Sequence, residues 1–170
     1  MNSEQIAWLQ EFFFEAARAT FAGSLVEKTT IAGLPKSEVY RYQAGDLLYV
    51  DSYYANGEYS GGQTTIFDND TPIWLMQYHG WCMDDNPNVV DFLKLALSAT
   101  YEIEQWEGGR GPRIYRSDRW PGLGYVNAVD GKHDRFSNFE GYEAIYNRPE
   151  LGDSVIFWHR YQGLLLANVE

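Results

Sequence analysis

One aromatic motif occurs twice in this chain, and this repeat constrains the fold more than any other feature. "IWLMQYHGW" begins at Ile73, and a close relative, "IFWHRYQGL", begins at Ile156. In each half this motif follows two other strand-like runs, and a helix-like segment precedes all three. The order helix, strand, strand, strand therefore occurs twice. This predicts a single domain built by internal duplication, with repeats at residues 1–82 and 83–170.

Both helix-like segments are predicted from apolar residues at three- and four-residue spacing. The first covers residues 4–21, with Ser3 as its N-cap and Gly23 as its stop. The second covers roughly residues 87–103, with Pro87 in its first turn after a cap at 85 or 86. The predicted buried stripes are Ile6, Leu9, Phe13, Ala16 and Thr20 in the first helix, and Val90, Leu93, Leu97 and Tyr101 in the second.

The strand-like runs are rich in aromatic and β-branched residues and are separated by turn residues. The first half contains "DLLYVDSYY", "QTTIFDN" and "PIWLMQYHGW", and the second contains "LGYVNAV", "GYEAIYN" and "SVIFWHRYQGLLL". One αβββ unit can bury only part of its apolar surface, so two units should pack around a pseudo-twofold axis. The expected fold is α+β, with two helices on one face of a curved, mainly antiparallel sheet of about six strands.

Charge and composition exclude several classes of function. Acidic residues outnumber basic ones by 24 to 13, for a net charge of −11, which disfavours direct binding to nucleic acid or to an anionic membrane. The N-terminal apolar residues are interrupted by Glu11, Glu15 and Arg18, which is untypical of a signal peptide or a membrane span. Cys82 is the sole cysteine, so no intramolecular disulfide can form. We expect a cytoplasmic protein, either a monomer or a homodimer.

The side chains of the two copies of the aromatic motif can be assigned to sheet faces, because side chains alternate along a strand. One face should carry Ile73, Leu75, Gln77 and His79 with Ile156, Trp158, Arg160 and Gln162. The other should carry Trp74, Met76 and Tyr78 with Phe157, His159 and Tyr161. The amides, His79 and Arg160 would then gather on one face. They could form the polar part of a small-molecule pocket, or they could simply face solvent.

Glu143 is the carboxylate of greatest interest. It lies in "GYEAIY", flanked by apolar residues, where a carboxylate needs a partner or a raised pKa. Asp51 in "YVDSYY" is its nearest rival, and Asn127 is the repeat mate of Asp51. A buried general base is one interpretation. An ion pair of Glu143 with Arg160 or Arg41 is favoured over it.

Metal, cofactor and nucleophile signals are weak. His79 and His159 are expected on opposite faces, and His133 in a turn, so no metal site and no cofactor are predicted. Cys82 is expected to be buried as a small hydrophobic residue rather than to act as a nucleophile. Four arginines in "RGPRIYRSDRW" are expected to pair with the acidic residues of the chain, with an anion-binding loop as the alternative.

Four motifs carry a resemblance to a known family. "LLYVDSYY", "IWLMQYHG", "RGP" from Arg110 to Pro112, and "GYEAIY" resemble a bacterial domain family of unknown function. Members of that family are often joined to an Xre-type helix-turn-helix DNA-binding domain. The resemblance covers about residues 12–163 and implies a sensing domain that reports to a DNA-binding partner. The chain departs from the family in lacking room for a helix-turn-helix before its first helix, and in having Gln63 and Thr64 where the family tends to carry Glu.

The predicted function is a non-catalytic small-molecule-binding or sensor domain, with an aromatic-lined pocket between the two repeats. One alternative is an acidic protein that binds a basic partner protein, as inhibitors and immunity proteins do. A third is an enzyme with Glu143 as general base. An enclosed cavity lined by both halves would favour the first, and an exposed aromatic sheet face without a cavity would favour the second. The predicted ligand-binding residues are Trp74, Gln77, Tyr78, His79, Glu143, Trp158, Arg160 and Tyr161.

Overall fold

The computed structural model describes residues 1–23, 25–83, 87–147 and 154–168, which form two helices and one eight-stranded antiparallel sheet. The helices are α1 (Ser3–Ala19) and α2 (Pro87–Tyr101). The strands are β1 (Glu38–Ala44), β2 (Leu47–Asn56), β3 (Tyr59–Asp68), β4 (Thr71–Cys82), β5 (Ile114–Tyr115), β6 (Leu123–Arg135), β7 (Asn138–Asn147) and β8 (Val155–Leu165). Their order across the sheet is β1-β2-β3-β4-β8-β7-β6-β5, so β1 and β5 form the edges. The α+β class is as predicted.

The prediction of six strands was too low, because it left out both edges. β1 pairs along its whole length with β2, and the short β5 pairs with β6. β6 also runs through the segment that was predicted as a turn, so His133 lies in a strand. The β6–β7 register shifts between Val129 and Asp134, and this irregularity accommodates the polar residues there.

The first helix begins one residue earlier than predicted. Asn2, not Ser3, is the N-cap: its Oδ1 accepts from the backbone N–H of Gln5, while the Gln5 side chain accepts from the backbone N–H of Asn2. This reciprocal pair satisfies two amide groups that the helix leaves free. The helix ends at Ala19 with Thr20 as its C-cap, two residues before the predicted end at residue 21.

Most of the predicted helix stripes are buried. In α1, Leu9, Phe13, Ala16 and Thr20 are buried and Ile6 is half-buried. In α2, Leu93, Leu97 and Tyr101 are buried, but Val90 is 42% exposed. The neighbouring Val89, Phe92 and Ala96 are buried as well, so the buried stripe of α2 is wider than predicted and turned away from Val90. The predicted caps of α2 at positions 85 and 86 lie outside the described residues.

The core lies between the helices and one face of the sheet, which we call the inner face. The ring of Phe13 on α1 packs 5.2 Å, centroid to centroid, from that of Trp74 on β4. Trp74 in turn stacks on Phe136 and Phe139 from the second half. The opposite, open face has no helix over it among the described residues. Neither of the two described helices is long and apolar enough to cross a membrane.

Candidate functional site

A cavity of 330 Å³ lies between the inner face of the sheet and the two helices. This volume is at the lower end of the range for small-molecule sites. Both halves of the chain contribute to its walls: Ala17, Thr20, Tyr49, Asp51, Tyr53 and Tyr78 from the first, and Leu93, Leu97, Tyr101, Arg110, Phe157 and His159 from the second.

Asp51 is the buried carboxylate of this cavity and is only 5% exposed. Its Oδ1 accepts a hydrogen bond from Thr64 Oγ1 at 2.9 Å and another from the Tyr78 hydroxyl at 2.8 Å. Burial raises the pKa of Asp51, and these two hydrogen bonds offset only part of that effect. Both donors bind Oδ1, and the described residues place no donor on Oδ2.

A glycine allows Tyr78 to reach Asp51. Tyr78 lies on β4, Gly62 lies opposite it on β3, and Asp51 lies on β2 beyond. A Cβ atom at Gly62 would come within 2.7 Å of the Tyr78 hydroxyl oxygen. The tyrosine ring therefore lies across the glycine and places its hydroxyl group on a residue two strands away.

The second half repeats this arrangement with a different polar residue. Tyr161 lies opposite Gly141, where a Cβ would come within 2.5 Å of the tyrosine oxygen, and its hydroxyl donates to Asn127 Oδ1 at 2.6 Å. The Nδ2 of Asn127 donates to the backbone carbonyls of Glu107 and Gly111, at 2.9 and 2.7 Å. Asn127 thus binds the chain itself where Asp51 faces a cavity.

The segment bound by Asn127 covers residues 106–111, "WEGGRG", and we call it the plug segment. The ring of Trp106 packs edge-on against those of Phe136 and Phe139, each at 5.0 Å. Gly108 has a φ of +66° and lies so close to Tyr161 that a Cβ would come within 2.7 Å of the ring. Backbone therefore fills the space on the second half that corresponds to the cavity on the first.

Arg110 of the plug segment forms the buried ion pair of the molecule's core. Its Nη2 donates to Glu143 Oε1, and the Tyr125 hydroxyl donates to Oε2 at 2.8 Å. Burial opposes the charge of Arg110, but the Glu143 carboxylate outweighs it and raises the pKa of Arg110. The expected partners of Glu143 were wrong, since Arg160 and Arg41 are both exposed. The burial of Glu143, at 0% exposure, is as predicted.

His159 completes the polar lining. Its Nε2 lies 3.0 Å from Ser60 Oγ, and its ring packs on those of Phe157 and Tyr78. Burial, assisted by the positive charge of Arg110, lowers the pKa of His159 to about 3, so the imidazole is neutral at physiological pH. Among the described residues, Nδ1 has no hydrogen-bond partner.

Ser60, His159 and Glu143 follow the order of a nucleophile, base and carboxylate triad. The His159 Nδ1 to Glu143 Oε1 distance is 3.7 Å, beyond hydrogen-bond range. Glu143 is already bound by Arg110 and Tyr125, and a histidine with a pKa of about 3 is a weak base. The geometry therefore favours binding over acid–base catalysis.

The predicted site residues divide between the two faces of the sheet. Trp74, Tyr78, Glu143 and Tyr161 lie on the inner face. Of these, Tyr78 lines the cavity, whereas Trp74 is a core residue whose Nε1 donates to the Phe136 carbonyl at 2.9 Å. The other four, Gln77, His79, Trp158 and Arg160, alternate with inner-face residues and lie on the open face.

The polar residues of β4 and β8 do meet there. Gln77 lies opposite Gln162 and His79 opposite Arg160, and all four side chains are exposed. A second concavity, of 340 Å³, lies on the second half of the open face beside Arg160, Gln162 and exposed Tyr142. Its volume matches that of the inner cavity, but charged groups that are already solvated gain little from a ligand. We therefore place the candidate site on the inner face.

Several residues of the site escaped the sequence prediction. Asp51 was named only as a rival of Glu143. Arg110 was expected to pair with an acidic residue, as it does with Glu143, but it was not assigned to the site. His159 was assigned to the correct face but not to the site. The available signal was the pairing of each tyrosine with a glycine one strand away, at Tyr78 and Gly62 for the first half. Cys82 is half-buried rather than buried, and also lines the cavity.

The surface carries one further cluster of potential ligands. Asp130, His133 and Glu140 offer ligand atoms within 4.8 Å of one another on the β6–β7 hairpin, whereas no ligand partner was predicted for His133. The two carboxylates are exposed and His133 is half-exposed. This cluster is separate from the cavity lining.

Comparisons with known proteins give a family but no function. No curated protein and no solved structure matches the chain. A family profile matches residues 51–166, a range that begins at Asp51 and includes Tyr78, Arg110, Glu143 and His159. Since this range is well over half of the 170 residues, the chain belongs to the family described as Domain of unknown function (DUF5680).

Proposed function

We propose that this protein is a non-catalytic small-molecule-binding domain, with the ligand in the inner cavity of the first half. One observation carries the proposal: a 330 Å³ cavity with aromatic walls on which three buried polar side chains, Asp51, Arg110 and His159, converge. A concave apolar site with a few well-placed polar groups is typical of small-molecule binding.

Two of these groups are incompletely hydrogen-bonded. In the described part of the chain, Arg110 Nε and His159 Nδ1 are buried and unpaired. Both residues line the cavity, so the polar groups around it are not all satisfied by the described chain.

The position of the helices supports a sensor function. α1 and α2 both line the cavity, through Ala17 and Thr20 on one and Leu93 and Leu97 on the other. A ligand in contact with both would change how they pack. In the proposed scheme, a DNA-binding partner on another chain would detect that change.

We also propose that the two halves arose by duplication. The Tyr78–Gly62–Asp51 arrangement of the first half has its counterpart in Tyr161, Gly141 and Asn127 of the second. The strand order is symmetric about the β4–β8 junction, where Tyr78 lies opposite Tyr161. One copy would have kept a ligand cavity, while the plug segment filled the other.

The partner-protein alternative has less support. This alternative predicts an exposed aromatic sheet face without a cavity. The aromatic residues Trp74, Tyr78 and Phe157 instead lie on the covered inner face. Exposed rings do occur on the rest of the surface, as at Tyr54 and Tyr142, but they are single residues on different strands.

The test is a thermal-shift screen with cationic, neutral and anionic small molecules, followed by NMR titration of each hit. Ala17→Leu would fill the cavity from α1, and Ala128→Leu is the matched control on the open face. We expect hits that bind the wild type and Ala128→Leu but not Ala17→Leu, with circular dichroism verifying that both variants fold. Absence of hits, or hits lost only in Ala128→Leu, would contradict the proposal.

A further inference from the structure

We infer that the ligand of the cavity is an organic cation, with an apolar or aromatic body and a protonated amine that pairs with Asp51. This inference rests on the proposed function and specifies the chemical class of its ligand.

The charge balance of the buried groups provides the first argument. Two carboxylates, Asp51 and Glu143, and one guanidinium, Arg110, are buried around the cavity. Arg110 is bound to Glu143, and among the described residues it is the only lysine or arginine that lines the cavity. His159 is neutral. Ionised Asp51 therefore lacks a paired cation, and a buried charge is costly until one is supplied.

The second half provides an independent argument. Asn127 occupies the position that corresponds to Asp51, and there the chain itself is the occupant. Its Nδ2 donates to two carbonyl oxygens of the plug segment, at 2.9 and 2.7 Å. An ionised aspartate can only accept hydrogen bonds. The occupant of the first half must therefore bring donors where the plug segment brings acceptors.

The walls and the rim of the cavity suit a cation as well. Tyr53 and Phe157 line it, and the faces of aromatic rings attract cationic groups, as the Tyr78 ring does with Arg110 at 5.6 Å. Glu38 and the exposed Glu58 lie on the lining near the surface. The net charge of −11 further favours the approach of cations over that of anions.

The test uses three probes with one carbon skeleton: phenylbutylamine, phenylbutanol and phenylbutyrate, which are cationic, neutral and anionic. Each is titrated by calorimetry into the wild type, Asp51→Asn and the matched control Asp118→Asn, an exposed aspartate outside the cavity lining. Asp51→Asn keeps an oxygen that can accept from Thr64 and Tyr78, so it removes the charge and retains both hydrogen bonds.

We expect the amine to bind the wild type at least about tenfold more tightly than the alcohol, with the carboxylate weakest. In Asp51→Asn this preference should disappear while the affinity for the alcohol is kept, and Asp118→Asn should retain the preference. Equal or tighter binding of the alcohol or carboxylate to the wild type would overturn the cationic class but leave the proposed function intact. The cationic class would also be overturned if amine binding were unchanged in Asp51→Asn, or if none of the three probes bound. The library screen with Ala17→Leu then decides separately whether the cavity binds any small molecule.

Discussion

The two halves of the sheet carry similar polar sites in opposite states. In the first half, Tyr78 reaches across a glycine to Asp51, and the space in front of that carboxylate is a cavity. In the second half, Tyr161 reaches across a glycine to Asn127, and the space is filled by the plug segment. The two halves differ in which atoms satisfy the remaining hydrogen-bonding groups of the polar residue.

The buried polar groups of the two halves differ in how completely the chain itself bonds them. Asn127 has its amide group bonded to backbone, and the Glu143 carboxylate has a partner on each oxygen. Asp51 has two donors on one oxygen and a raised pKa. Buried polar groups are normally satisfied within the fold, so we propose that the incompletely bonded Asp51 marks where a ligand binds.

The largest expected effect comes from breaking the ion pair of the second half. Arg110→Met leaves Glu143 buried without its cation, which should lower the free energy of unfolding by about 3–5 kcal/mol. Arg160→Met, on the open face, should change it by less than about 0.5 kcal/mol. Urea denaturation of both variants measures the difference. Equal stabilities of the two would show that the pair is not structural.

Next in size is the exchange of amide for carboxylate in the filled half. Asn127→Asp removes the donor to two carbonyl oxygens and places a second carboxylate near Glu143, so we expect a loss of about 2–4 kcal/mol. The exposed Asn147→Asp should have little effect. Chemical denaturation again provides the measurement, and a stable Asn127→Asp would contradict the role given to the plug segment.

A smaller effect should come from glycines with similar backbone conformations. Gly108 and Gly57 have φ values of +66° and +58°, so alanine is strained at both. At Gly108 the new methyl group would also overlap the Tyr161 ring, whereas at Gly57 nothing lies within 4 Å. We expect Gly108→Ala to cost about 1–3 kcal/mol more than Gly57→Ala. Equal melting temperatures for the two variants would mean that the plug segment is not packed against Tyr161.

The smallest expected effect is a gain in stability at the ligand site. Native Asp51 retains its proton to a higher pH than it does in the unfolded chain. Its contribution to stability is therefore lost as the pH rises from the ordinary carboxyl range through the raised native pKa. Asp51→Asn lacks this loss, so its free energy of unfolding at neutral pH should be at least equal to that of the wild type. Thermal melts across the acidic to neutral range check this, with exposed Glu58→Gln as the control. A large loss of stability in Asp51→Asn would mean that the charge is structural.

The parts of the fold that follow from local patterns could be predicted from the sequence. Alternation along β4 and β8 placed Trp74 and Tyr78 on one face and Gln77 on the other, and the structure has them so. The same alternation, with apolar neighbours, was enough to predict that Glu143 is buried. Helical spacing predicted the buried stripe of α1 apart from the half-buried Ile6.

What could not be predicted depends on contacts between distant segments. The partner of Glu143 comes from the plug segment, in which glycines with positive φ fold Arg110 inward; nothing in the local pattern distinguishes it from the three arginines that follow. The cavity likewise arises because the plug segment fills only one half. The residues predicted as the site lie on both faces of the sheet, and the helices cover only the inner face.

The most direct test of the central claim is a crystal structure of the protein grown with phenylbutylamine. We expect electron density for the amine in the inner cavity of the first half. The amine nitrogen should lie within hydrogen-bond distance of Asp51, and the phenyl ring should lie against Tyr78 or Phe157. Density on the open face beside Arg160 and Gln162, with the inner cavity empty or filled by side chains, would contradict it.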